Sequence, residues 1–139
     1  MAQRLVRTIC PHCKTEQRVD ADYLRRVGFP EDEIGTAKFW HGAGCEECRQ
    51  QGYQGRKGIY ELLLVSEAIR PLIMNRANAT AIAQRAMEAG MRTLRTDGWN
   101  KVKAGVTTIE EVLRVTQMEE HLEALSGGER PQFTPRPNP

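Results

Sequence analysis

Apolar residues upstream of Ser66 come in short runs rather than at helical spacing. The clearest run covers residues 59–65, where Glu61 is the only charged position. A short apolar run bounded by turn residues is typical of a buried strand, so we predict a strand over residues 58–65. Glu61 then needs a polar partner, because an unpaired charge is costly to bury. Residues 1–9 hold a second apolar stretch, which fits a strand or the end of a helix.

Downstream of Ser66 the apolar positions adopt the period of a helix. Ile69, Leu72 and Ile73, for example, lie three and four residues apart. Such spacing places apolar side chains on one face of a helix. The predicted helices begin near residue 70, cover residues 80–89, run from residue 91 to Gly105, and follow a Thr108–Glu111 capping box as far as residue 126.

The remaining segments have weaker patterns. Residues 20–27 fit a short amphipathic helix, and residues 31–43 are predicted to form a loop anchored by Phe39 and Trp40. From residue 127 the chain is polar and contains four prolines. Such a composition buries too little apolar surface to fold, so residues 127–139 are predicted to be a disordered tail.

The composition is that of an ordinary soluble protein. Charged residues make up 27% of the 139 residues and the formal net charge is +2, so neither nucleic acid nor anionic lipid is indicated as a partner. No stretch approaches the roughly 20 apolar residues of a membrane span, and the N-terminus lacks the apolar core of a signal peptide. We therefore expect a cytoplasmic chain whose thiols stay reduced.

The four cysteines form two Cys-x-x-Cys pairs with 31 residues between the pairs. Two residues between cysteines let one turn present both sulfurs at the separation of about 3.5–4 Å that tetrahedral zinc requires. The spacer is longer than in simple zinc ribbons, but it has room for a helix of its own. Four thiolates close the coordination shell, so we predict a structural Zn²⁺ site formed by Cys10, Cys13, Cys45 and Cys48.

Two other functions fit parts of the same pattern. A zinc-ribbon-like nucleic-acid-binding module would place basic residues near the cysteines on phosphates, namely Arg18, Arg25, Arg26, Arg49, Arg56 and Lys57. A zinc-dependent redox sensor would use the cysteine pairs as dithiols, although no βαβ pattern precedes them. The glycine-rich residues 52–58 do not form a phosphate loop, because Lys57 precedes a strand and no hydroxyl residue follows it.

Four segments, in this order, resemble the C-terminal end of the ATPases of type II secretion and type IV pilus assembly. They are AQRLVRTICPHCK at residues 2–14, GCEEC with GYQGRKGIYELL within residues 44–63, GMRTL with DG within residues 90–98, and GVTT with EVLRVT within residues 105–116. The resemblance covers residues 2–117, and the motifs are specific in combination although each alone is common.

The resemblance implies a cytoplasmic motor, usually hexameric, whose ATP hydrolysis drives assembly of a pilus or pseudopilus. In that family the cysteines that match Cys10, Cys13, Cys45 and Cys48 bind zinc. The family's nucleotide-binding motifs have no counterpart here and would lie upstream, so ATP hydrolysis is not expected of this chain alone. The implied partners are the motor domain, neighbouring subunits and inner-membrane platform proteins, with no nucleic acid. Those partners would hold the chain at the cytoplasmic side of the inner membrane.

We thus expect an α+β fold, mainly helical, with a small tetracysteine zinc lobe and a short antiparallel strand pair ahead of a C-terminal helical bundle. The strands at residues 3–7 and 58–65 would pair at the margin of the motor sheet, as the resemblance implies. The predicted organisation is a strand continuing from an absent motor domain at residues 1–9, a zinc-binding subdomain at 10–57, a strand at 58–65, a helical subdomain at 66–126 and a tail at 127–139.

Overall fold

A computed structural model describes residues 1–116. Its elements, in chain order, are β1 (Ala2–Ile9), β2 (Lys14–Gln17), α1 (Ala21–Arg26), a 3-10 turn (Glu31–Glu33), β3 (Phe39–Gly42), β4 (Tyr53–Glu61), α2 (Arg70–Met74), α3 (Ala79–Glu88), α4 (Leu94–Lys103) and α5, described over residues 109–116. The predicted end of the last helix at residue 126 and the predicted tail at residues 127–139 lie outside the described residues.

Strands β1 and β4 form an antiparallel pair, as predicted. The register runs from Ala2 opposite Glu61 to Arg7 opposite Arg56, and it shifts before Ile9 pairs with Tyr53. The strand predicted over residues 58–65 is correct only over residues 58–61, because β4 begins at Tyr53 and ends at Glu61. Its first half is polar and glycine-rich, and is held in the strand by pairing with β1 rather than by burial.

The predicted loop over residues 31–43 was wrong in part. Residues Phe39–Gly42 form β3, which pairs antiparallel with β2 from Lys14 opposite Gly42 to Gln17 opposite Phe39. Each strand has only four residues, too few for the alternation of polar and apolar side chains to stand out in the sequence. Phe39 does act as the predicted anchor, because its side chain is buried in the core.

The main core joins the lobe that carries the cysteines to the helices. Phe29 makes edge-to-face contacts with Phe39 and with Trp99, at ring-centroid distances of 5.3 and 5.5 Å. The buried residues of this main core are Leu24, Phe29, Phe39, Trp99, Val102, Ile109 and Val112. A smaller cluster of Val6, Ile59 and Leu94 fixes the β1–β4 pair against α4.

The helices begin at ordinary capping residues. The side chains of Asn78 and Thr93 accept hydrogen bonds from the first turns of α3 and α4, and Pro71 lies in the first turn of α2. The N–H of Leu94 donates to Glu61 Oε2 at 3.0 Å, which supplies the polar partner that Glu61 needs.

The α+β class is confirmed, but the mainly helical description and the C-terminal helical bundle are not. Helix α4 packs against β4, β1 and β3, and its Trp99 and Val102 also pack with Ile109 and Val112 of α5, so its neighbours are strands of both sheets as well as a helix. The apolar spacing of this helix indicated one buried face, but it could not distinguish a helix from a sheet as the partner. Within residues 1–116, no helix has the length and apolar character that crossing a membrane requires.

Candidate metal centre

The two sheets bring the four predicted cysteines to one place. Cys10 directly follows β1, and Cys13 directly precedes β2. Cys45 and Cys48 lie in the turn between β3 and β4. Because β1 pairs with β4 and β2 pairs with β3, both cysteine pairs emerge at the same end of the two ribbons.

The sulfur separations fit a tetrahedral metal site. The distances are 3.8 Å for Cys10–Cys45, 3.8 Å for Cys13–Cys48 and 3.6 Å for Cys45–Cys48. All four sulfurs lie within 4.8 Å of one another. A tetrahedron with Zn–S bonds of about 2.3 Å has edges of about 3.8 Å. The four thiols are free, so the cluster is a potential ligand set for a metal ion rather than a pair of disulfides.

Backbone N–H groups point at two of the sulfurs. Gly44 donates to Cys13 Sγ at 3.3 Å, and Gly52 donates to Cys48 Sγ at 3.2 Å. Cys45 also donates its N–H to Cys48 Sγ at 3.3 Å. Such donors stabilise the negative charge of a thiolate, which is the form that binds a metal.

The cysteines differ in acidity because their surroundings differ. Burial opposes the charged form of Cys48, but the N–H groups of Cys45 and Gly52 outweigh it and lower the pKa of this thiol to about 6. Burial and the neighbouring sulfurs raise the pKa of Cys13 to about 12. A metal ion that binds all four sulfurs would therefore displace protons, and its affinity would rise with pH.

The donor set points to a structural rather than a catalytic metal. Cys10 and Cys48 are buried, whereas Cys13 and Cys45 are partly exposed. Four thiolates fill a tetrahedral shell and leave no position for water or substrate. A bound ion would cross-link the turn after β1 to the turn before β4, and would add a covalent-like constraint to the pairing of these two strands.

Glu111 takes a role that the sequence did not predict. The Thr108 hydroxyl accepts the Glu111 N–H at 3.3 Å, as in the predicted capping box. The carboxylate, however, accepts hydrogen bonds from the Arg7 backbone N–H at 2.8 Å and from the Arg7 guanidinium at 2.9 and 2.7 Å. Arg114 donates to the same carboxylate. Because Arg7 and Glu111 are 104 residues apart, no local pattern could have revealed this contact.

The segment around Glu111 forms hydrogen bonds with both β1 and β4, the strands that border the cysteine turns. Thr107 Oγ1 donates to the Arg7 carbonyl at 2.7 Å, and the N–H of Ile9 donates to the Val106 carbonyl at 2.9 Å. On β4, the Tyr53 and Thr108 hydroxyls lie 2.8 Å apart. Residues 106–111 thus contact the β1–β4 pair close to the cysteine cluster, since Ile9 directly precedes Cys10.

The comparisons with known proteins define the class of this chain. The family model described as "Type II/IV secretion system protein" matches residues 1–114. The chain therefore belongs to the type II/IV secretion system protein family, as the resemblance of its motifs predicted.

The individual relatives come from both branches of that family. The chain is 48% identical over 116 residues to the type IV pilus assembly ATPase PilB of Thermus thermophilus, and 45% identical over 117 residues to PilB of Pseudomonas aeruginosa. It is 43% identical over 119 residues to the type II secretion system protein E of Pseudomonas aeruginosa. These matches cover 84%, 84% and 86% of this chain, but only 13%, 20% and 23% of the respective relatives.

Proposed function

We propose that this chain is the zinc-stabilised C-terminal structural and interaction module of a cytoplasmic, hexameric ATPase that powers pseudopilus assembly in type II secretion or assembly of a type IV pilus. The observation that carries the proposal is a closed set of four thiols at tetrahedral spacing in a member of this family. Cys10, Cys13, Cys45 and Cys48 would bind one Zn²⁺, which supplies a rigid cross-link and no reactive position.

The chain would act through its contacts rather than through catalysis. Its partners would be the motor domain of the ATPase and neighbouring subunits, and through them the inner-membrane platform of the secretion or pilus system. ATP hydrolysis belongs, in this proposal, to the motor domain, and the module alone would not hydrolyse ATP. The exposed apolar side chains of Leu62, Leu64 and Val65 support an interaction role, because they follow β4 without entering the core.

A chimera tests the proposal directly. The 116 residues of this chain that match Thermus thermophilus PilB at 48% identity would replace the corresponding segment of that protein. We expect the chimera to hydrolyse ATP and to assemble as the parent does. The same chimera with Cys45→Ser and Cys48→Ser should lose metal and lose assembly. A cysteine variant that assembles and hydrolyses ATP like the parent would contradict the proposal.

A further inference from the structure

Two glycines meet backbone to backbone beside the cysteine cluster. Gly42 ends β3, and Gly52 immediately precedes β4. A Cβ atom built on Gly42 would lie 2.5 Å from both the Cα and the carbonyl carbon of Gly52, and it would overlap the Gly52 carbonyl oxygen. A Cβ built on Gly52 would overlap the Gly42 carbonyl oxygen in turn. No side chain fits at either position without moving backbone.

Gly52 connects the two cysteine pairs through its own peptide groups. Its N–H donates to Cys48 Sγ at 3.2 Å, and its carbonyl accepts the Cys10 N–H at 3.0 Å. One residue therefore contacts a cysteine of the second pair and a cysteine of the first. A shift of Gly52 would change the separation of the two pairs.

The chain next to Gly42 contacts the remaining cysteine of the first pair. Ala43 donates its N–H to the Cys13 carbonyl at 3.0 Å, and Gly44 donates to Cys13 Sγ at 3.3 Å. The close contact between Gly42 and Gly52 thus joins the segment that holds Cys13 to the segment that holds Cys48 and Cys10.

The turn that leads to Gly52 contains residues with left-handed backbone conformation. Arg49 and Gln50 have φ angles of 54° and 63°, and Gly52 has a φ of 77°. Left-handed backbone is unfavourable for residues with side chains and persists where surrounding contacts impose it. Here the bend carries the chain back so that the Gly52 N–H meets Cys48 Sγ.

We propose that Gly42 and Gly52 are positioning residues of the tetracysteine site, and that their contact sets the separation between the two cysteine pairs. The inference rests on the proposed zinc site and adds to it two residues that are not ligands. Backbone groups that orient metal ligands matter nearly as much as the ligands themselves, and their loss typically weakens metal affinity about 10- to 100-fold.

Gly42→Ala tests the inference against a matched control, Gly35→Ala. Neither glycine has a left-handed backbone, but a Cβ at Gly35 meets nothing within 4 Å. Zn²⁺ affinity would be measured by competition with a chelator, and Co²⁺ would be bound in place of zinc for its absorption spectrum. We expect Gly42→Ala to bind Zn²⁺ about 10- to 100-fold more weakly than Gly35→Ala, with altered cobalt bands.

Equal affinities and identical cobalt spectra in these two variants would overturn the inference, even if Gly42→Ala were less stable. Should Gly42→Ala fail to fold with excess Zn²⁺, Gly52→Ala and Gly55→Ala replace the pair. Gly52 and Gly55 have φ angles of 77° and 80°, so both variants suffer the same backbone strain. A Cβ at Gly55 approaches only Thr8 Oγ1, at 4.0 Å, so a weaker affinity specific to Gly52→Ala supports the inference and equal affinity overturns it.

The outcomes separate this inference from the proposed function. A wild-type chain that binds neither Zn²⁺ nor Co²⁺ would remove the metal site and the inference together. A wild-type chain with a tetrathiolate cobalt spectrum, combined with equal affinities in the matched variants, would leave the metal site standing and overturn only the role of the glycines.

Discussion

Arg7 and Glu111 join the two ends of the described chain through three hydrogen bonds on a single carboxylate. The Arg7 backbone N–H donates to one oxygen, and Nε and Nη2 of the Arg7 side chain donate to the other. The Glu111 side chain is only 2% exposed, whereas the Arg7 side chain is 47% exposed. The buried member is therefore the carboxylate, and its charge depends on the arginines around it.

Glu111→Gln should lower the free energy of unfolding by about 3 kcal/mol at neutral pH. Burial opposes the charge of Glu111, but hydrogen bonds from Arg114 and Arg7 outweigh it and lower its pKa from 4.5 to about 2. A lowered folded-state pKa stabilises the fold above the unfolded pKa, and this contribution is lost as pH falls from 4.5 towards 2. Urea denaturation across this range should show the variant and the wild type converging.

The control is Glu110→Gln, which removes a neighbouring carboxylate that is exposed in α5. We expect it to change stability by less than about 0.5 kcal/mol, as is usual for surface substitutions. If Glu110→Gln were as destabilising as Glu111→Gln, the effect would reflect general charge balance rather than the contact with Arg7.

The sequence predicted the local features of this protein well and its long-range contacts poorly. The Cys-x-x-Cys pairs, the amphipathic helices and the Thr108–Glu111 cap act within a few residues, so each leaves a pattern that can be read along the chain. The strand β3 and the true start of β4 depend on partners far away in sequence. Pairing with another strand, rather than the local apolar pattern, decides whether such segments are extended.

Glu111 illustrates the same limit at the level of a single residue. Its spacing from Thr108 indicated a capping box, and the Thr108 hydroxyl does accept the Glu111 N–H. The carboxylate instead binds Arg7, which a local motif cannot specify. Gly42 was likewise read as part of a loop, because nothing near it in sequence indicates the approach of Gly52.

Phe29→Ala should lower the free energy of unfolding by about 3–5 kcal/mol, because it leaves a cavity between two aromatic rings. Phe29 contacts both Phe39 of the cysteine-bearing lobe and Trp99 of α4. Chemical denaturation followed by Trp fluorescence would measure the loss. Met74→Ala, at a side chain that is 77% exposed, serves as the control and should be nearly neutral. A loss below about 1 kcal/mol for Phe29→Ala would contradict the assigned core.

Tyr53→Phe should cost about 1 kcal/mol of stability, and Thr108→Val about 2 kcal/mol because it also removes the hydroxyl that accepts the Glu111 N–H. The double variant should cost less than the sum of the two. The two hydroxyls lie 2.8 Å apart and link β4 to the start of α5. The coupling energy follows from urea denaturation of all four proteins in a double-mutant cycle. Strictly additive losses would show that the hydroxyls do not form a hydrogen bond in solution.

Metal removal should lower the protection of backbone amides from hydrogen exchange in the cysteine-bearing lobe before it does so in the helices. If the four cysteines bind an ion as proposed, chelation in reducing buffer leaves four thiols without a shared ion, while the core around Trp99 keeps its apolar contacts. Amide hydrogen exchange should therefore quicken first in β2 and in the turn at residues 43–52, which contribute no buried side chain to that core. Exchange that quickens equally throughout residues 1–116 would contradict this order.

The amount of metal bound per chain would decide whether the four cysteines form a structural zinc site. Elemental analysis would compare the wild-type protein, purified under reducing conditions without added zinc, with a Cys45→Ser and Cys48→Ser variant. We predict one zinc per wild-type chain and none in the variant, since two thiolates no longer close a tetrahedral shell. A freshly reduced wild-type protein that contains no metal would contradict the proposed structural zinc site.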